Sequence, residues 1–173
     1  MMSRGLLALL LLPCAAHASS VIPQSADALT RQATHVVRAI VESQREGYDE
    51  RARHATVETT FTVSSNLKGD AGSTVVVRQL KGIPGDARFR VGEEAVLFLR
   101  SGGGPHLGVF FILGLGQGKF EVTRPTGRPA LAERDFSELS FVAKGGGAAA
   151  APERSLALDE LERVVRRAAG GGR

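Results

Sequence analysis

The chain has 173 residues, with 22 Lys and Arg against 18 Asp and Glu, one Cys and no Trp. Its net charge of +4 is carried by Arg31, Arg38, Arg45, Arg51, Arg53, Arg78, Arg88, Arg90 and others interleaved with acids, so the chain lacks the clustered cationic stripe with aromatic platforms that nucleic-acid binding requires. A chain this long can bury a cooperative core, and the lone Cys14 rules out an internal disulfide.

The start of the chain reads as an export signal. Arg4 precedes an apolar run over residues 6–12, Pro13 ends it, and Ala16-His17-Ala18 puts small residues where a signal peptidase cleaves. The run is shorter than the roughly 20 residues of a membrane-spanning helix. The expectation is a signal peptide, residues 1–18, cleaved after Ala18, and a secreted or periplasmic product with no transmembrane segment. Cys14 raises the rival of a lipid anchor, but the lipid-attaching machinery takes a small residue before its cysteine, and Leu12-Pro13 stands there.

Residues 25–33 predict a short helix, with Ser25 as N-cap and Ala26, Leu29 and Ala33 on one face. Residues 36–41 are β-rich and residues 47–50 read as a polar loop. In residues 56–63, Val57, Thr59, Phe61 and Val63 alternate with polar neighbours as in a half-buried strand. Asn66-Leu67-Lys68-Gly69-Asp70 is a turn, and a third strand spans 74–80. A loop at 82–85, stiffened by Pro84, leads to the unbroken apolar run 95–99, a strand covered on both faces and the expected centre of the core.

Gly102 to Gly104 and Pro105 break that strand, and residues 106–113 begin another. Gly114, Gly116 and Gly118 then turn the chain into the alternating segment 119–123. A polar stretch over 124–137 and a short apolar piece at 139–142 complete a β-barrel domain of residues 19–143, and residues 144–154 form a Gly/Ala-rich linker. Residues 155–173 are a C-terminal amphipathic helix and tail. Leu158, Leu161, Val164, Val165 and Ala168 form its stripe, acids stand in its first turn, and Arg163, Arg166 and Arg167 follow where the macrodipole favours cations. Short strands flanked by helices imply a mainly β fold, a small OB-like barrel of five to six strands with a short N-terminal and a C-terminal helix.

No motif assigns a catalytic, cofactor-binding or metal-binding residue. Gly114, Gly116 and Gly118 imitate a phosphate loop, but a strand pattern follows where a helix N-terminus is needed. His35, His54 and His106 are too far apart for a paired ligand set. Ser64, Ser65 and Ser101 lie in turn-like settings without a nucleophile elbow. Glu93 and Glu94 are adjacent on entering a strand, so their carboxylates diverge rather than flank a bond.

The β segment 36–41, the strand 57–63 ending in Asn66-Leu67-Lys68-Gly69, the segment 92–99 (Gly-Glu-Glu-Ala-Val-Leu-Phe-Leu) and Leu115-Gly116-Gln117-Gly118-Lys119-Phe120 together resemble a group of exported bacterial β-rich proteins. More distantly they resemble the OB-type barrel of tissue inhibitors of metalloproteases and netrin-like modules. The resemblance covers about residues 34–123 and implies that barrel. Those inhibitors bind a protease zinc through an N-terminal cysteine, and no cysteine follows Ala18, so no functional residue is carried over.

The reading favoured is an exported, non-catalytic binding module with a protein partner, a secreted protease among the candidates, using loops 82–90 and 102–106 on a rigid scaffold. Two rivals stand beside it. One is a hydrolase or metal-dependent enzyme assembled from dispersed His, Asp and Glu, marked by two histidines converging with a carboxylate in a pocket. The other is a structural envelope protein, marked by a large apolar patch.

Overall fold

Residues 18–171 are described by a computed structural model. The Cys14 reading, and the signal-peptide reading up to residue 17, lie outside the described residues. The fold is mainly β, with one large sheet and two helices, and no described helix is long and apolar enough to cross a membrane.

In chain order the strands and helices are β1 (Ser19–Val21), α1 (Ala26–Gln32), β2 (His35–Asp49), β3 (His54–Lys68), β4 (Thr74–Leu80), β5 (Glu94–Ser101), β6 (Phe110–Ile112), β7 (Lys119–Thr123), β8 (Leu131–Glu133), β9 (Leu139–Phe141), β10 (Ser155–Ala157) and α2 (Leu158–Gly170). Eight strands form one sheet in the order β10-β8-β7-β5-β2-β3-β4-β6, and β1 pairs in parallel with β9 apart from it. Strand β6 hydrogen-bonds antiparallel to β5 and also meets β4 in parallel at Val77 and Phe110.

The core lies on both faces of β2 and β5. Val96 and Phe98 point to the helices and pack with Leu29 of α1, Phe120 of β7, and Leu161 and Val165 of α2. Ala95, Leu97 and Leu99 point the other way, into a cluster with Val37, Ala39, Val41, Phe61, Val75 and Val77. All five residues from Ala95 to Leu99 are fully buried, as an apolar run without alternation requires. The Ser25 side chain caps α1 by accepting from the Ala28 N–H at 3.2 Å, and Ala26, Leu29 and Ala33 are buried along one face. Helix α2 docks by its stripe, and Arg38 of β2 reaches Glu162 of α2 at 2.9 Å.

Several expectations need correction. Residues 47–50 are not a loop, because β2 runs on to Asp49 and the turn lies at 50–53, where the Asp49 carboxylate accepts from the Arg51 and Ala52 N–H groups at 2.9 Å. This part of β2 is polar because it leaves the core as a ribbon with β3. Cross-strand pairs hold it instead, Gln44 with Thr59 at 3.2 Å and Arg45 with Glu58 at 2.7 Å. Thr56 is buried opposite Gly47, whose missing side chain leaves room for the threonine Oγ1, whereas Val57 is half-buried.

The strand expected from 106 begins only at Phe110, since Gly104, Pro105 and His106 form a tight 3₁₀ turn. The polar stretch 124–137 contains β8, and residues 155–157 are strand β10 rather than helix. The described residues hold ten strands in all, more than the five or six expected of the barrel itself. The additional ones, β1, β8, β9 and β10, have three residues each, too few to display a period of two.

Candidate functional site

The sequence directs attention to loop 82–90, and the alternation that makes a strand also anchors this loop. Ala87 and Phe89 point inward and are buried, with Phe89 edge-on to Phe61 at 5.0 Å between ring centroids. Gln79 of β4 donates to the Ala87 carbonyl at 2.8 Å, and Lys119 of β7 donates to the Arg88 carbonyl. Lys119 also pairs with Glu93 at 2.5 Å and lies over the Phe89 ring at 5.2 Å. On the other side, the Glu138 carboxylate accepts from the Gly85 N–H at 3.0 Å and pairs with Arg88. The loop is therefore fixed at both its backbone and its inward side chains, while Arg88 and Arg90 remain mostly exposed.

This fixed loop forms a ridge between two clefts. The first, of about 450 Å³, lies between residues 85–90 and the segment carrying Glu133, Asp135 and Glu138; the second, of about 510 Å³, lies between the loop and Gln44, Val57 and Gln79 of the ribbon and β4. Asp86 lines both. Burial pushes its carboxyl above the ordinary value of 3.8, against the bonds from Gln79 and the Ala87 N–H. Glu138 and Asp135 move the opposite way, held low chiefly by the backbone N–H groups of Gly85 and Ser137 respectively. One carboxyl is thus raised by burial beside two held low by backbone N–H groups, and nothing in the local sequence distinguishes the three.

Asp86 has a consequence that titration can read. Its folded pKa exceeds its unfolded one, so the folded chain binds more protons in that window and stability falls as pH rises through it. Asp86→Asn is expected to stabilise the domain at pH 7, with the gain vanishing as pH drops below about 3.9. Urea denaturation of the two proteins at several pH values checks this.

The second expected loop, residues 102–106, opens on a different cleft of about 480 Å³, with His106, Arg78, Glu58, Arg45 and Asp49 around it. Arg78 donates to Glu58 at 2.5 Å and 2.9 Å, and its other terminal nitrogen faces His106 Nδ1 at 3.1 Å. The Glu58 carboxyl is held below its ordinary range, first by the bond from Arg45 and then by Arg78. Gln44 and Val57 line the cleft beside loop 82–90, whereas Arg45 and Thr56 line this one, so the two loops serve opposite faces of the ribbon.

The histidines are not brought together. His35 bonds Thr34 and stands edge-on to Phe110, His54 Nε2 lies 2.9 Å from the Lys81 carbonyl, and His106 is edge-on to Phe111. Among the described residues no cluster of three His, Cys, Asp or Glu could hold a metal. Glu93 and Glu94 diverge, Glu93 to Lys119 and Arg90, Glu94 to Arg124 at 2.6 Å and Arg38 at 3.5 Å. The Ser64 hydroxyl donates to the Arg38 carbonyl, Ser65 lies opposite Arg38 in the β2–β3 pair, and Ser101 bonds Thr34.

The glycine segment does not turn the chain back as expected: β6 and β7 both pair antiparallel with β5, so the short 3₁₀ helix of residues 115–118 joins two strands that run in the same direction. Gly114 has the left-handed φ of +64°; Gly116 does not. Gly116 instead lets backbones approach, its N–H donating to the Gly85 carbonyl at 2.8 Å, and a Cβ on Gly118 would collide with the Leu113 carbonyl. Gly118→Ala is expected to destabilise by about 1–3 kcal/mol through overpacking, and calorimetric titration of the wild type with ATP or NAD is expected to show no binding.

The most buried cation carries no mark in its local sequence. Arg134 of the segment after β8 is fully buried; it donates to the carbonyls of Glu153 at 2.5 Å and 2.9 Å, Gln24 at 2.9 Å and Gln117 at 3.3 Å, and stacks on Phe120 and Phe136. Gln117, itself buried, accepts from the Gln24 N–H and donates to Ile22 and Gly114. Burial lowers the Arg134 guanidinium to about 10, which leaves it charged at neutral pH. This network ties residues 22–26, the glycine turn and residues 153–154 together, behind the wall that carries Asp135 and Glu138.

No protein-family model and no curated protein matches the chain.

Proposed function

We propose that this chain is exported, loses residues 1–18, and acts outside the cytoplasm as a non-catalytic binding module on a small OB-like barrel. Closure of the barrel through β5, β2, β3, β4 and β6 is supported by the bonding of β6 to both β4 and β5. Cleavage after Ala18 is supported by Ser19 being the first residue of β1, so the strand survives intact. The observation that carries the binding reading is the ridge of residues 85–90, fixed from within by Phe89 and Lys119 and flanked by two clefts. A recognition loop that is already ordered loses little entropy on binding.

The expected partner is a protein outside the cytoplasm, a secreted protease among the candidates, though without the N-terminal cysteine on which the resembling inhibitors rely. The enzyme reading asks two histidines to converge with a carboxylate, and His35, His54 and His106 each have separate partners. Crosslinking from position 88 in the exported protein tests the binding reading, and intact-mass measurement of that protein tests the start at Ser19.

A further inference from the structure

The β2–β3 ribbon leaves one edge of β2 open. Strand β5 pairs with β2 from His35 to Ile40, and Gly92 and Glu93 then bond Val41. Among the described residues no strand pairs with this edge beyond Val41, while residues 42–48 are exposed in an extended conformation and the opposite edge is occupied by β3. Such an edge is a template for another strand. It carries no proline, and the bulge between Val41 and Ser43 lies at its base rather than along it.

We propose that this edge pairs with the same edge of a second copy of this chain, antiparallel about a two-fold axis through Gly47. Two copies of one strand pair antiparallel about an axis perpendicular to the sheet, and side chains directly opposite each other lie on the same face, so the axis must pass through a residue. The charges on the edge then select among the registers. An axis at Gln44 sets Glu42 against Glu46, one at Arg45 or Glu46 sets each against itself, and one at Tyr48 sets Glu46 against Glu50 and Arg45 against Arg51. An axis at Ser43 brings Arg45 of the second copy against Val41, whose backbone is taken by Gly92 and Glu93. Of the registers that leave the Val41 backbone untouched, an axis at Gly47 is the one that opposes no like charges. It sets Arg45 against Asp49 twice, once on each side of the axis, and places glycine against glycine at the centre.

Opposite charges on facing strand positions favour a pair, and like charges disfavour it. The Arg45 side chain is 82% exposed and held only by Glu58, so it is free to face a second carboxylate. The facing residues 45–49 line the cleft beside residues 102–106 rather than those beside loop 82–90, and the proposal does not depend on the binding function.

The test is the mass of the purified protein by light scattering across its soluble concentration range. The wild type is expected to form a dimer. Arg45→Glu sets a carboxylate against Asp49 at both facing pairs, and Asp49→Arg sets a second guanidinium against Arg45; each variant alone is expected to be monomeric. An equimolar mixture of the two is expected to recover the dimer, because both facing pairs between the variants then set a carboxylate against a guanidinium. A wild type that stays monomeric, or an Arg45→Glu protein that dimerises as the wild type does, overturns the proposal. Should Asp49→Arg loosen the turn that Asp49 caps, the exposed Arg45→Glu variant decides alone.

Discussion

Replacing Phe98 by alanine is expected to lower stability by about 3–5 kcal/mol. Phe98 is fully buried in the strand that holds the two core faces together, among Leu29, Val36, Val96 and Leu161, and its ring meets that of Phe120 at 5.7 Å. The loss combines the transfer energy of the ring with the cavity that α1, α2 and β7 cannot collapse to fill. Since three elements share this contact, their packing should fail together, in one cooperative transition shifted to lower urea with its slope unchanged. A loss below about 1 kcal/mol, the range of surface substitutions, would place Phe98 outside the core.

Arg134→Ala is expected to cost a similar amount, about 3–5 kcal/mol, for a different reason. The carbonyls of Gln24, Gln117 and Glu153 lose their shared donor, and a buried acceptor left unpaired costs about 1–3 kcal/mol. Glu153 also loses its cation, at 3.2 Å, and Phe120 and Phe136 lose the guanidinium stacked between them. Arg134→Lys keeps the charge but not the fork of donors, so it should fall between alanine and wild type. Urea denaturation of the three proteins measures the order.

What the residues announced in advance follows a physical line. The run from Ala95 to Leu99 and the strand at Thr74–Leu80 were legible because burial on both faces, or on alternate positions, is written directly into residue type. Ser25 and the stripe of Leu158, Leu161 and Val165 were legible because capping and amphipathic helices depend on neighbours in sequence. The outer half of β2 was not, since its stability comes from pairs such as Arg45 with Glu58 that join residues 13 apart. Strands of three residues, such as β8 and β10, carry no period. Residues 82–85 were legible as a loop from their proline and glycines, but the burial that raises the Asp86 carboxyl, and the ridge held by Gln79, Lys119 and Glu138, arise only where the fold brings distant residues near. Arg134 looked like one more surface arginine, because the carbonyls that receive it belong to residues up to 110 positions away.

The most direct test of the proposed binding role is photo-crosslinking in the cell that makes the protein, with a photoreactive residue placed at Arg88 on the ridge or at Arg163 on the exposed side of α2. The ridge reading predicts a discrete protein adduct from position 88 that is absent from position 163 and is lost when Arg90 is also replaced by Glu in a protein that still folds. Equal labelling from both positions, or no adduct from position 88 in exported, folded protein, would contradict it.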